Sequence, residues 1–596
     1  MPVYKAPVDD VLFLLNDVFH IERFANLPGF AEASPDVVQA IVAEAAKFCE
    51  EVLAPLNPSG DRQGCRRGED GSVTTPSGFT VAYRRYVAGG WIGISVPQEL
   101  GGLGLPGALT QTVNEFLASA NMAFAMYPTL TQGAIAALIA HGTAEQKSLY
   151  LPKMLAGEWT GTMNLTEPQC GTDLGLIRTK AVPQSDGSYR ITGTKIFISA
   201  GEHDLAENIV HLVLARIEGA PEGTRGLSLF VVPKFIPHPD GSLGARNAVS
   251  CGSIEDKMGI HGNATCVISH EEATGWLIGQ ENRGLALMFV MMNEARLGVA
   301  LQGLAVGEAA YQAAAAFAKD RLQGRSLTGP KNADGPADPI LVHPDVRRML
   351  MDSRAVLEGG RAFLFWTALQ GDLARRHPDE AVRQKAEDYM ALLTPVLKGF
   401  LTDRGFKIAS DAMQVHGGSG FTEHFPASQY LRDVRITLIY EGTNGIQALD
   451  LVGRKLAANG GRGVMTFFAE IDAFVEANHE AADLKPFVDG LAAAKAQLQE
   501  ATFWLMQNGV ANPDSAAAAS TDYLQLFGLA GAAFGWAMSA KAALAKVAGG
   551  DGDPFYANKL AVGRYYLERV LPETATHLTK LKTGAQTLMA LPADAF

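Results

Sequence analysis

Along ASPDVVQAIVAEAAKFCEEVLAP the apolar positions Val38, Ile41, Val42, Ala45, Cys49 and Val52 recur every three or four residues. That period predicts an amphipathic helix capped by Ser34, with Pro35 in its first turn. The same period runs through 81–88 and 109–141, interrupted by WIGISVPQELGGLGLPG, where Pro97, Gly101, Gly102, Gly104 and Pro106 impose an irregular crossing. Residues 1–157 therefore read as a helical domain. The period then shortens: SYRITGTKIFIS, ENIVHLVLARI and GLSLFVVPKFI carry β-branched and aromatic residues between DG, PEG and PDG turns, which predicts a β domain over 158–278. Helical spacing returns in 284–321, 345–370, 379–415 and 445–458, a helical bundle over 279–458. The Gly-rich AANGGRGV reads as a linker, and the Ala-rich stretches beyond it predict a further helical domain over 465–596. The fold class is α+β, mainly α.

Composition narrows the functions this layout can serve. A chain of 596 residues that is 47% hydrophobic can bury a large core. Its 63 acidic against 50 basic residues, a net charge of −13, disfavour a nucleic-acid partner, which needs clustered Lys and Arg, although an acidic face can attract a basic protein. Cys49, Cys65, Cys170, Cys251 and Cys266 show neither C-x-x-C spacing nor a companion His motif, so no metal site is expected and the thiols are read as reduced. The opening MPVYKAPVDDVLFLLNDVF sets Asp9, Asp10 and Asp17 among its apolar positions, unlike a secretory or transit segment. With no uninterrupted run of membrane-spanning length, the expected place is the cytoplasm.

Four stretches carry candidate chemistry. MNLTEPQCGTD offers the hydroxyls of Thr166 and Thr172 and, at Gly171, close backbone approach, features that a capped turn shares. GTKIFISAG sets Phe197 and Ser199 on one face of a strand and Ile198 on the other, an aromatic beside a hydroxyl that suits a planar heterocycle, although core packing is the commoner use. In NEARLGVALQGLAVGEAAYQAAAAFAKDRLQGRS, Arg321 at the helix end suits the dipole, whereas Arg296 in an apolar stretch needs an acidic or phosphate-like partner. In AMQVHGGSGFTEHFPASQYLRDVRITLIYEGTNGIQ, Gly417, Gly418 and Gly420 expose backbone before a run read as extended, and Glu441 follows between that run and Gly442 and Gly445. A buried acid there would be costly and calls for an explanation.

In this order, LTEPQCGTD, ITGTKIFIS, EDKMGIHG, ENRG, ARLGVALQ, QVHGGSGFTE and RDVRITLIYEGTNGIQ closely resemble the acyl-CoA dehydrogenase family of flavoenzymes. The resemblance covers about residues 88–456, and it implies a helical domain, a small β-barrel-like domain and a helical bundle, with FAD between the last two. The YKAPVDD opening, the length and the extra C-terminal helices look most like the subgroup that oxidises 3-(methylthio)propanoyl-CoA to 3-(methylthio)acryloyl-CoA in dimethylsulfoniopropionate breakdown.

By this resemblance Glu441 takes the α proton while a hydride leaves the β carbon for the flavin, and an electron-transfer flavoprotein receives the electrons. The Glu441 backbone N–H is implied as a donor to the thioester carbonyl, with Gly442 keeping that approach open. Thr172, Arg296 and Gly442 are expected at the substrate. Met163, Leu165, Thr166, Gly171, Thr172, Phe197, Ile198 and Ser199 match positions lining the flavin, with Phe197 where relatives carry Trp. Arg321, Gln414, Gly417, Gly418, Thr443 and Asn444 match contacts to pyrophosphate and adenosine, partly across a subunit interface, so at least a homodimer is implied. Relatives that place the base one residue before the motif arginine would use Ala295 here, and Glu294 points about 100° away around the helix. The family's Arg-x-x-Phe-Gly is replaced by Arg321, Leu322, Gln323, Gly324 and Arg325, which leaves Arg325 as a substitute contact.

Three other readings compete: a fatty acyl-CoA dehydrogenase of β-oxidation, an oxygen-consuming acyl-CoA oxidase, and a non-catalytic flavin-containing relative that binds DNA. The retained YEGTNG and the acidic balance argue against the last. The low charge density of the C-terminal helices points to packing in a core or across a dimer.

Overall fold

The computed structural model describes residues 4–509 and 511–596. Its chain divides into two compact units, one formed by Met1–Ala46, Pro106–Glu115 and Val299–Phe596, the other by Lys47–Leu105 and Phe116–Gly298. The long helices Gly107–His141 and Gly284–Asp320 have residues in each.

The sheet-bearing unit is built on a seven-stranded mixed sheet. Strands Thr265–Ile278, Tyr189–Ser199, Lys180–Pro183, Asn208–Ile217 and Leu227–Pro233 pair in that order, and the last pairs with the first, so the ring closes as a small barrel. Val249–Ile254 and Trp159–Asn164 extend it at two edges. Closure leaves little unpaired edge, and alternate residues such as Ile191, Val213, Phe230, Val232 and Ile268 fill the interior.

The other unit is helical. Pro344–Arg376 and Glu380–His416 pack together, and Pro513–Ala548 lies against both. That close approach needs small residues: a Cβ added at Gly528 would come within 2.3 Å of the Phe400 ring, and one at Gly531 within 2.2 Å of the Phe363 ring. Phe363, Trp366, Tyr389, Phe467, Phe527 and Phe534 join these helices through an aromatic cluster. The mainly helical class with a small β barrel is thus the observed one.

Two expectations need correction. The run between these glycines and Glu441, read as extended, holds the helix Ala427–Arg435 followed by one 3₁₀ turn, Ile436–Leu438. Also, among the described residues two helices, Gly107–His141 and Gly284–Asp320, are long and apolar enough to cross a membrane by length and composition, contrary to the sequence reading. Burial covers 72% and 50% of their most apolar windows, so they are core helices.

Candidate functional site

In the helical unit, the chain around Glu441 is forced into an uncommon shape. Glu441 and Gly442 have φ of 57° and 87°, and Thr443 then caps the helix Asn444–Asp450, its hydroxyl accepting from the Ile446 N–H at 3.4 Å. A Cβ at residue 442 would lie 2.7 Å from Gln447 Nε2, so the turn requires glycine twice over. Buried Gln447 donates to the carbonyls of Glu441 (3.0 Å) and Gly442 (3.1 Å). Lys398, fully buried, donates to the Gly442 carbonyl and to Asn444 Oδ1, both at 2.8 Å. The turn is therefore clamped through its carbonyls while the Glu441 side chain stays half-buried. Next to it, burial pushes the Tyr440 phenol well above its ordinary range, and its hydroxyl donates to Gln302 Oε1.

Asn444 does not project outward: its amide donates to Thr402 Oγ1 (2.9 Å) and Asp403 Oδ1 (2.7 Å). Gly417, with φ of 58°, and Gly418 follow the end of Glu380–His416, are exposed, and have no atom within 4 Å of an added Cβ. Gln414 and Arg321 are exposed as well. The space over this backbone is open, although the Gly417 N–H is already bonded to the Gln414 carbonyl. Arg325 is committed elsewhere, donating to Asn332 O (2.8 Å), Gly335 O (2.6 Å) and the Asp338 carboxylate (3.3 Å), which shapes the loop 325–338.

In the sheet-bearing unit, Phe197 sits at a β-bulge: between the pairs Cys266–Ile198 and Ile268–Lys195, two residues face one. Its φ of 58° is costly for an aromatic residue, and the side chain is 59% exposed. Ser199 is half-buried, whereas Ile198 faces the barrel core, so binding there falls to its backbone. Met163, Leu165 and Thr166 are half-buried, and Gly171 and Thr172 are exposed. The Thr166 carbonyl accepts from the Ile196 N–H (2.9 Å), which fastens this loop to the bulge. An outward, strained aromatic suits the flat face of a heterocycle. Arg296 is buried, its guanidinium 5.8 Å from the Phe289 ring centroid.

Several residues that sequence reasoning passed over hold these parts in place. Glu167 and Lys195 form a buried pair at 2.8 Å; the carboxylate also accepts from Arg178 N (2.8 Å) and Thr179 N (3.1 Å), and Lys195 donates to the Leu165 carbonyl (3.0 Å). Against the cost of burial, Lys195 and these donors draw Glu167 down to about 2. Behind the strand Trp159–Asn164, His203 and His211 are bonded to Thr160 (2.9 Å) and Thr162 (2.7 Å). Burial holds His203 and nearby His270 at about 3, so these rings stay neutral and do no proton chemistry near neutral pH. Among the described residues no group of His, Cys, Asp or Glu could hold a metal ion.

Comparison with known proteins covers nearly the whole chain. Residues 35–158 match the acyl-CoA dehydrogenase N-terminal domain, 162–273 the middle domain, 282–456 the C-terminal domain, and 467–592 the acetyl-CoA dehydrogenase C-terminal-like domain. The chain is 44% identical to a 3-methylmercaptopropionyl-CoA dehydrogenase of Ruegeria pomeroyi, over 98% of this chain and 99% of the relative. It is 35% identical to a broad-specificity linear acyl-CoA dehydrogenase of Mycobacterium tuberculosis, over 100% of both. An acyl-CoA dehydrogenase of Bacillus anthracis complexed with FAD has the same fold, with a TM-score of 0.73 at 21% identity, covering 91% of this chain and 88% of that one.

Proposed function

This chain belongs to the acyl-CoA dehydrogenase family, and from that premise we propose that it converts 3-(methylthio)propanoyl-CoA to 3-(methylthio)acryloyl-CoA, with Glu441 as the base. Acyl-CoA dehydrogenation with FAD is the family reaction; the thioether substrate is the finer reading. FAD, when bound, supplies the acceptor for the hydride from the β carbon.

The protein's own contribution centres on one turn. Glu441 removes the α proton, and the clamp from Gln447 and Lys398 on the adjoining carbonyls fixes where its carboxylate stands. Gly442 leaves the backbone there open to the thioester, and Thr172 and Arg296 serve the substrate. Phe197, Ser199, Thr166, Met163, Leu165, Gly171, Thr172 and the Ile198 backbone would line the flavin ring. Gly417, Gly418, Gln414 and Arg321 would take the pyrophosphate and adenosine. Thr443 and Asn444, whose side chains cap and brace the turn, serve that end by position. An electron-transfer flavoprotein in the cytoplasm is the electron acceptor, and the enzyme works as at least a homodimer.

The observation that carries the substrate is the full-length similarity to the Ruegeria relative, including the C-terminal helices. The Mycobacterium relative, similar over its whole length, supports a plain acyl chain as the second reading. An anaerobic titration of the yellow holoenzyme separates them: 3-(methylthio)propanoyl-CoA is expected to bleach the flavin at lower concentration than butanoyl-CoA or octanoyl-CoA. Preference for a plain chain selects the second reading. Glu441→Gln is expected to keep FAD and lose roughly 10²–10⁴-fold in bleaching rate, and near-normal turnover in it moves the base elsewhere.

A further inference from the structure

Beyond the Lys398 clamp on the Gly442 carbonyl, Glu380–His416 carries a polar line toward the C-terminal helices that the reaction as described does not use. Lys398 Nζ, fully buried, donates to the Gly442 carbonyl and Asn444 Oδ1 at 2.8 Å each. The other end of the Asn444 amide donates to Asp403 Oδ1 at 2.7 Å, and the second Asp403 oxygen accepts from Gln525 Nε2, also at 2.7 Å. Gln525 is buried on Pro513–Ala548, in the C-terminal helices. The Asn444 amide thus lies with its oxygen toward a cation and its nitrogen toward an anion, the orientation in which its dipole favours both. Burial pushes the Asp403 carboxyl up, and the Asn444 and Lys398 contacts oppose that push. A buried ammonium and carboxylate are costly to maintain, so their place beside a turn held at positive φ calls for a function.

We infer that Lys398, Asp403 and Gln525 are positioning residues, a buried relay through which the C-terminal helices hold the Glu441–Gly442 turn in its left-handed conformation and so set the reach of the Glu441 carboxylate. The inference rests on Glu441 being the base. It gives the C-terminal helices a direct part in the reaction: Gln525 stands four links from the Gly442 carbonyl, through Asp403, Asn444 and Lys398.

The test uses full-length holoenzyme with Lys398→Met and Gln525→Leu, which remove the ammonium and the amide while keeping most of the volume. Two readouts are taken: hydrogen exchange of peptides spanning 436–450, and flavin bleaching with substrate carrying protium or deuterium at the α carbon. In Gln525→Leu, exchange over 436–450 should rise severalfold, bleaching should slow about 3–10-fold, KM should stay within about twofold, and the isotope effect should grow, because a displaced base makes proton removal more rate-limiting. Lys398→Met should act in the same direction and more strongly, about 10–100-fold. In the double variant the losses should fall well short of multiplying, since both cut one network. Should Lys398→Met fail to fold, Gln525→Leu decides alone. Wild-type exchange and isotope effect in Gln525→Leu, with only a lower melting temperature, would overturn the relay. Glu441→Gln run alongside keeps the two ideas apart: bleaching lost there but normal in Gln525→Leu sinks the relay alone, while bleaching retained there sinks the base assignment itself.

Discussion

Phe197 bears a backbone cost that its proposed place at the flavin would explain. The alternation of GTKIFISAG puts Ile198 on the face opposite Phe197 and Ser199, and in the structure Ile198 is buried, Phe197 exposed and Ser199 half-buried. The bulge and the φ of 58° were not legible, because register belongs to the pairing with Thr265–Ile278 and not to the strand itself. A left-handed non-glycine residue costs about 1–2 kcal/mol, and an exposed ring recovers little of it. Phe197→Gly is therefore expected to raise the stability of the apoprotein by about 0.5–1 kcal/mol, read from urea unfolding, while weakening retention of FAD on dilution. A destabilised apoprotein with intact retention would mean the ring packs for the fold alone. Lys398 and Gln447 were illegible for a related reason: a lysine in an apolar helical stretch acquires meaning only when the fold sets a carbonyl from residue 442 beside it.

Helices and strands were largely legible, and their failures are informative. Of the predicted stripe, Val38, Val42, Ala45 and Cys49 are buried and Ile41 is half-buried, and it continues at Leu53, fully buried, and not at Val52, which is half-buried. A π turn over Cys49–Leu53 adds the residue that shifts the stripe. The β-branched ITLI stretch was misread as extended because strand propensity describes fit to a pleated surface, and here helical packing decides. At the same scale, the loop 165–179 hangs on Glu167. Its carboxyl stands at about 2 against an ordinary 4.5, so its contribution to stability is complete above about pH 4.5 and is lost as pH falls toward 2. Lys195 shifts the other way: burial lowers its ammonium, a cost already present throughout that acid window, so it reduces the net gain without changing the slope there. Glu167→Gln should lower the melting temperature at pH 7, and its stability should fall less steeply than wild type between pH 4.5 and 2. Parallel acid limbs would show that other carboxylates carry the dependence.

For the molecule as a whole, the helical unit is tied together by charge as well as by rings. Arg361, buried on Pro344–Arg376, reaches Asp10 (2.6 Å), Glu115 (2.8 Å) and Glu308 (2.8 Å), and Lys559, near the C-terminal end, pairs with the same Asp10 and with Glu358 (2.7 Å). Against burial, Lys559 and Arg361 hold Asp10 below its ordinary value, whereas burial prevails at Glu115 and raises it. The sequence offers these as scattered charges; only closure of the fold brings residues 10, 115, 308, 358, 361 and 559 together. Losing either cation is costly, because it strands carboxylates in the dry interior, at about 3–5 kcal/mol, whereas loss of a single acid leaves each cation a partner. Ending the chain at Gly460 would remove Lys559 and uncover Phe363 and Phe400, against which Gly531 and Gly528 pack. The truncated chain is therefore expected to lose cooperative thermal unfolding and to aggregate, and Arg361→Leu to melt well below wild type. If the truncated chain were monodisperse with an unchanged melting temperature, the C-terminal helices would be an appendage; the packing of Pro513–Ala548 on the bundle makes them part of the body that holds Glu441.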